Sequence, residues 1–443
     1  MKEKNNTSEN GQVLVLLVLV IVGLLAFTAL AVDGGMVFAD RRGAQNAADA
    51  AVLAGGYRIA NTLEDFNLGY NITYMNWSCT NVEAVIGIAR PEAIVQASTN
   101  SYPITGDSSL TMVCQPGVDF GSYIDRYADT TAQIISDVET SFVHFAFGGA
   151  IKNTVTAVAR VRPRMPLAFG YAIYAHREDC PNSNTGGVRF DGNNNVTIDG
   201  GGVMSDACMD ANGSVHVQVN GGEINYITSY APSGNPYVNP APALQPNLLP
   251  DWALLFPEPD CSSLSAGTTN GNGTISPGIY TDITVNGSDS LTMSPGLYCL
   301  DGDFSVTGNT TVIGEGVTIF MRDGDFTTNG GGVVRLSAPN YVVEDNDGVT
   351  GMLIYIASEN PGSVDLTGNS QSYYSGTIFG EHEDSRIEIG GTGDMTTGCY
   401  NGIPCFGTQL IAGTVKVHGN AIIDIDFVSN AVYYLPARLT LER

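Results

Sequence analysis

Four aspartates in two identical tetrapeptides are the strongest candidates for a metal site. Asp301 and Asp303 flank a glycine, and Asp323 and Asp325 repeat that arrangement further along the chain. If the interval between these tetrapeptides is one turn of a repeating β-structure, the two pairs stack about 4.8 Å apart. Carboxylates that close repel each other unless a cation binds, and Ca²⁺ accepts oxygen ligands in flexible geometry. We favour exposed turns neutralised by ions in solution, and we predict no cofactor, with Ca²⁺ as the ion to test.

A second titratable cluster, EHEDSR, occupies residues 381–386. It could bind a metal or a sugar, and Arg386 or Lys416 could supply the base of a polysaccharide lyase. A solvated turn between two strands is the interpretation that we favour. The sequence contains no aspartate pair of the glycosidase type, no G-x-S-x-G and no H-E-x-x-H. We therefore predict no catalytic residues and no enzyme activity.

The eight cysteines contain no C-x-x-C motif, which argues against a zinc ribbon or a thioredoxin-type site. Pairing each cysteine with its nearest neighbour predicts four disulfides, although this is one of many connectivities. Disulfides form in oxidising compartments, so they indicate an extracytoplasmic location. The predicted pairs are Cys79 with Cys114, Cys180 with Cys208, Cys261 with Cys299, and Cys399 with Cys405.

The charge balance of the chain excludes nucleic acid as a general partner. Its 443 residues include 19 Lys and Arg against 45 Asp and Glu, which gives a net charge of −26. Phosphate binding requires basic patches, which this composition cannot supply. Hydrophobic residues make up 43% of the chain, which is too many for a disordered protein.

Residues 13–32 are twenty consecutive residues without a charge. As a helix they measure about 30 Å, the thickness of the hydrocarbon layer, so we predict a transmembrane helix after a tail of residues 1–12. A cleaved signal peptide is the alternative, because residues 29–31 resemble a cleavage site, but its apolar region is usually shorter. Lys and Arg are nearly balanced on the two sides of the span, so they barely decide its orientation. The cysteines that follow the span favour an N-terminus on the inner side of the cytoplasmic membrane and the bulk of the chain outside.

Residues 33–60 form an alanine-rich segment in which small side chains share one face of a predicted helical stalk. Such a face packs either on its own domain or on partner helices. The order of Asp33, Gln45 and Asp49 within DGG and QNAADAA resembles TadG-like Flp (tight-adherence) pilus-assembly proteins over about residues 11–57. Processed pilins are cut after a Gly and carry Glu five residues later. The residue five positions after Gly11 is Leu16 here, so the chain resembles the unprocessed TadG type.

This resemblance implies a membrane-anchored, non-catalytic component of Flp pilus assembly or surface adhesion. Its implied partners are pilin-like membrane proteins, the assembly machinery and the lipid bilayer. The residues implied in partner-helix contact are Asp33, Gln45, Ala47, Ala48, Asp49, Ala51 and Ala54. The alternative is a membrane-anchored carbohydrate-binding or polysaccharide-degrading β-helix protein, with surface glycans as partners.

The rest of the chain predicts a mainly β fold. Residues 61–165 indicate a small α+β module that resembles pilin-like ectodomains, with a helix at residues 125–138. Near-repeats of about 20 residues over 166–440 predict a right-handed parallel β-helix, with a β-sandwich as the alternative. Residues 231–250 contain six prolines and predict an exposed linker or a long loop of the β-helix.

Overall fold

The computed structural model of this chain is mainly β, as the sequence predicted. It consists of one long N-terminal helix, a small antiparallel sheet and a large parallel sheet. The structure describes residues 10–70, 77–143, 148–180, 187–340, 348–367, 371–395 and 404–442.

Helix α1 (Asn10–Asp65) is continuous over 56 residues. It passes through Asp33, Gly34 and Gly35 without a break, so the predicted membrane segment and the predicted stalk are one helix. The large apolar side chains between Val13 and Val32 are exposed, and the helix is long and apolar enough to cross a membrane. Beyond residue 32 one face of α1 packs on the rest of the chain.

The small module combines α1 and α2 (Cys79–Thr99) with an antiparallel sheet. Its strands are β1 (Ser109–Asp119), β2 (Ile124–Val138) and β3 (Ile151–Arg162), and the C-terminal strand Arg438–Glu442 completes the sheet beside β3. The chain therefore returns to this module at its end, which the sequence boundary near residue 440 did not predict. Shorter elements join the module to the large sheet: Met165–Pro166 pairs with Tyr434–Leu435, and 3₁₀ turns occupy Leu167–Gly170 and Asp251–Leu254.

The predicted helix at residues 125–138 is wrong, because this segment is strand β2. Buried and partly exposed positions alternate along most of β2. Its β-branched pairs Thr130–Thr131 and Ile134–Ile135 suit a half-buried pleated surface, and this period of two outweighs the helical reading.

The described pairings of the large sheet are parallel, and between residues 273 and 337 each strand pairs with the third strand after it. Leu291 lies beside Val312 and Phe304 beside Phe326, which are steps of one repeat. Parallel pairing disfavours the β-sandwich alternative, whose sheets are antiparallel.

The strands of the large sheet stack in three rows. The first row is Gly278–Tyr280, Gly296–Leu300, Val317–Met321, Met352–Ile356, Tyr373–Gly380, Phe406–Ala412, Ile173–Ala175, Val203–Ser205, Ile224–Tyr226 and Ala243–Leu244. The second is Ile283–Val285, Phe304–Thr307, Phe326–Asn329, Ser363–Thr367, Arg386–Met395, Thr414–Asp426, Gly187–Gly192, Cys208–Gly213 and Ser229–Gly234. The third row begins with Gly273–Ile275, Ser290–Met293, Thr311–Glu315 and Val333–Ser337. It continues through parts of long strands that also belong to the other two rows, and it ends with Asn195–Asp199, His216–Asn220 and Tyr237–Asn239.

The stack does not follow chain order. Strand Phe406–Ala412 pairs with Ile173–Ala175, and Thr414–Asp426 pairs with Gly187–Gly192. The last turn of the C-terminal repeats therefore lies on the first turn of the N-terminal repeats. Residues 245–272 connect the two outer ends of the stack.

Most strands of the first row are buried on both faces. Inside the stack, the rings of Tyr280 and Tyr298 lie with centroids 6.0 Å apart. On the outer face the connecting segment contributes Phe256, whose ring lies 4.7 Å from that of Tyr355. Strand Val317–Met321 accordingly has five consecutive buried residues, as in parallel sheets covered on both sides.

Part of the proline-rich segment 231–250 forms the terminal turn of the stack. Residues 231–234 belong to strand Ser229–Gly234, and two further short strands follow in this segment. Pro232 lies within the outermost strands and has no N–H, and Pro236, Pro240 and Pro242 lie between them, so this edge is short and interrupted for a strand of another molecule.

Candidate membrane-proximal site

The first charged residue after the exposed apolar segment is held in a cage of backbone amides. Asp33 is only 2% exposed. Its carboxylate accepts hydrogen bonds from the N–H groups of Ser141 (2.8 Å), Phe142 (2.9 Å) and Val143 (2.5 Å). The three N–H donors stabilise the ionised carboxylate and fix the 141–143 loop on α1.

A second acidic residue continues this face of the helix. Asp40 lies seven residues after Asp33, which is two helical turns. Its side-chain oxygens accept hydrogen bonds from the Tyr102 hydroxyl (3.0 Å), the Ser136 hydroxyl (2.5 Å) and the Asn153 amide (2.8 Å). The sequence reading missed Asp40, although its spacing from Asp33 was the signal that could have revealed it.

Small residues let α1 approach the module's own sheet closely. Ala47, Ala48 and Ala51 are fully buried in a cluster with residues of β2 and β3. At Gly56 an added Cβ would lie 2.4 Å from the Leu439 Cδ1 atom, so even a methyl group would clash there.

The predicted partner-contact residues therefore fall into two groups. Asp33 and the three buried alanines cannot touch a partner while α1 packs on this module, which favours the alternative of a stalk that packs on its own domain. Gln45, Asp49 and Ala54 are partly exposed. The Gln45 amide donates a 2.8 Å hydrogen bond to Asp49 one helical turn later. For these three residues, partner contact stays a prediction.

Residues 11–58 match the family model described as putative Flp pilus-assembly TadE/G-like. The match confirms the resemblance seen in the sequence and includes Asp33, Asp40 and the alanine face. No curated protein and no solved structure matches the chain. Residues 11–58 are called the TadE/G-like segment from here on.

Far from the TadE/G-like segment, the predicted aspartate repeat stacks as expected. Asp325 N–H donates a 2.9 Å hydrogen bond to the Asp303 carboxylate, and Asp303 N–H donates likewise to Asp282. Asp301 forms an ion pair with Arg322 at 2.6 Å. The side chain of Asp323 accepts a hydrogen bond from the N–H of Gly324.

These carboxylates thus have amide or guanidinium partners in the structure. Among the described residues no cluster of three or more His, Cys, Asp or Glu could hold a metal ion. Calcium binding at Asp301, Asp303, Asp323 and Asp325 remains a prediction.

The two basic residues proposed for sugar chemistry converge on one carboxylate. Arg386 and Lys416 lie 3.1 and 3.3 Å from Glu388, and His418 lies 3.4 Å from it. His418, Lys416 and Arg386 together outweigh desolvation and lower the pKa of Glu388 to about 2. Each base is therefore engaged in an ion pair. Within residues 381–386, Glu381 accepts a hydrogen bond from the Tyr355 hydroxyl.

The structure contains three of the predicted disulfides: Cys79–Cys114, Cys180–Cys208 and Cys261–Cys299. Cys405 is disulfide-bonded, and its predicted partner Cys399 lies outside the described residues. Cys261–Cys299 ties the connecting segment to the first row of the large sheet.

Proposed function

We propose that this protein is a membrane-anchored, non-catalytic component of Flp pilus assembly. The observation that carries the proposal is the TadE/G-like segment, which begins with an apolar helix that the described chain leaves uncovered. A helix satisfies its own backbone hydrogen bonds and can therefore cross the hydrocarbon layer. The remainder of α1 is fixed rigidly to the folded body.

We further propose that the parallel stack is a right-handed β-helix displayed outside the cytoplasmic membrane. Three rows of parallel strands, with a step of 21 residues between several successive turns, support a solenoid. The three disulfides support an oxidising compartment and therefore an N-terminus inside. The proline-rich terminal turn supports a finite body rather than a polymer.

A structural role is also favoured by the ion pairs of the candidate bases. Arg386 and Lys416 are both engaged by Glu388, whereas a lyase base must be available to the substrate. We expect the partners to be pilin-like membrane helices and the assembly machinery. The surface available to them is residues 13–32 together with the outward face of α1, because the alanine face is occupied.

The test is to count surface pili by electron microscopy in cells that lack this protein. Re-expression of the intact chain should restore pili. A chain in which residues 13–32 are replaced by an unrelated apolar helix should be membrane-anchored, and its pilus count shows whether anchoring alone suffices. Pilus counts that stay normal in the deletion strain would contradict the proposal and move the weight to binding or cleavage of surface glycans.

A further inference from the structure

The apolar surface of α1 does not end where the uncharged segment ends. Met36 and Phe38 follow Asp33 and are 42% and 71% exposed. Phe142, on the loop that Asp33 holds, is 49% exposed. The Ser141 hydroxyl lies 3.8 Å from the Met36 sulfur, so the loop and this turn of the helix form one surface. We call Met36, Phe38 and Phe142 the apolar collar.

Two exposed arginines follow the collar. Arg41 and Arg42 lie about one turn after Phe38. Arginine forms bidentate contacts with phosphate, and long basic side chains extend from apolar surface to the headgroups. Along α1 the uncharged apolar segment is therefore followed by Asp33, then by Met36 and Phe38, and then by Arg41 and Arg42.

The length of this stretch fits a whole bilayer better than the uncharged segment does. Residues 13–39 as a helix measure about 40 Å, the thickness of the hydrocarbon plus its headgroup layers. Asp33 would then lie near the boundary between the interface and the hydrocarbon, where water is scarcer than in bulk and an unpaired carboxylate is costly. The three amides that bind Asp33 supply the hydrogen bonds that water would otherwise give.

We propose that the bilayer interface covers the apolar collar and that the 141–143 loop is a second membrane contact beside the helix. This inference rests on the proposed membrane anchor and adds to it the depth of insertion and the residues that meet the lipid. Asp33 is a positioning residue, since it holds Phe142 at the lipid boundary. Arg41 and Arg42 contact the lipid phosphates.

The test uses tryptophan fluorescence of the full chain in vesicles of phosphatidylethanolamine and phosphatidylglycerol. Bromine atoms on the lipid chains, placed either near the headgroup or near the chain ends, quench nearby tryptophans. Four tryptophan variants are compared: Leu24→Trp in the helix, Phe38→Trp and Phe142→Trp in the collar, and Tyr57→Trp, a 63% exposed position further along α1. Emission is taken as the difference from the unsubstituted chain, which contains Trp77 and Trp252.

We expect deep bromines to remove most of the added emission of Leu24→Trp and shallow bromines most of that of Phe142→Trp. Tyr57→Trp should be unaffected by either lipid. Adding Asp33→Ala to Phe142→Trp should abolish the shallow quenching, whereas Phe38→Trp should stay quenched with or without Asp33→Ala.

The outcomes separate the two proposals. If Leu24→Trp is quenched and Phe142→Trp is not, the anchor stands and the collar inference is overturned. If Leu24→Trp is not quenched either, the proposed membrane anchor itself fails. Quenching of Phe142→Trp that persists in Asp33→Ala would overturn the positioning role of Asp33.

Discussion

Asp206 gives the sharpest test of the packing on the outer face of the large sheet. Its side chain is 4% exposed and accepts a hydrogen bond from the buried Tyr174 hydroxyl. Desolvation, aided by the charge of Glu178, raises the pKa of Asp206 from 3.8 to about 7. The folded chain thus keeps a proton that the unfolded chain has already lost at pH 5 to 6.

The sign of the effect follows from this difference. The stabilisation is complete below the unfolded pKa and is lost as pH rises through the folded pKa, because the buried carboxyl must then ionise. One pKa unit is worth about 1.4 kcal/mol, so the free energy of unfolding should fall by up to about 4 kcal/mol between acid and pH above 7. Asp206→Asn removes this titration and should flatten that part of the profile.

The assay is urea unfolding followed by circular dichroism at pH 5 and pH 8. The free energy of unfolding of Asp206→Asn, relative to that of the parent chain, should be higher at pH 8 than at pH 5 by about 2 to 3 kcal/mol. Glu315→Gln, on an exposed position of the same stack, serves as the control for loss of one carboxylate. An Asp206→Asn profile that runs parallel to the parent profile would refute the reasoning.

Three further predictions concern the module, the connecting segment and the aspartate repeat. Ala48→Leu should lower the free energy of unfolding by about 1–3 kcal/mol in urea titrations because it overpacks a fully buried site, whereas Ala54→Leu at a partly exposed site should change it little. Replacing Cys261 and Cys299 together by serine should cost about 2–4 kcal/mol, measured by thermal melts, and the loss should vanish when both chains are reduced. Asp303→Ala should lower the melting temperature equally with and without Ca²⁺, since Asp303 accepts an amide of the next turn; a Ca²⁺-dependent loss would instead support the metal site.

The repeats were the part of the fold that the sequence revealed most directly. The phenylalanines of the two D-G-D-F strings, Phe304 and Phe326, are neighbours in register. The strings P-G-I-Y and P-G-L-Y are aligned less exactly, because Gly278 of the first lies opposite Tyr298 of the second and not opposite its glycine. The offset is even, so the tyrosines of both strings still point inward, and Tyr280 stacks on Tyr298.

The order of the stack was beyond sequence reasoning because it depends on contacts between distant segments. Nothing local in strand Phe406–Ala412 distinguishes Ile173–Ala175 as its neighbour from the next strand in sequence. Phe406–Ala412 and Ile173–Ala175 are both short buried strands that suit the first row of the stack. The return of Arg438–Glu442 to β3 is equally non-local. Strand β2 was missed for a different reason, since several of its buried positions carry small or polar side chains such as Asp125, Ala128 and Thr130, which weakens the alternation of hydrophobicity.

The alanine face shows why a motif can be recognised while its packing surface stays open between two alternatives. Small side chains at helical spacing allow close approach to any surface, so the same pattern serves a partner helix or the chain's own sheet. Here Ala47, Ala48 and Ala51 are used internally. We therefore expect partner helices to meet α1 on residues 13–32 or on the face opposite the alanines, where Tyr57 is exposed. Contact within the membrane would couple assembly to the depth of insertion that Asp33 and its loop define.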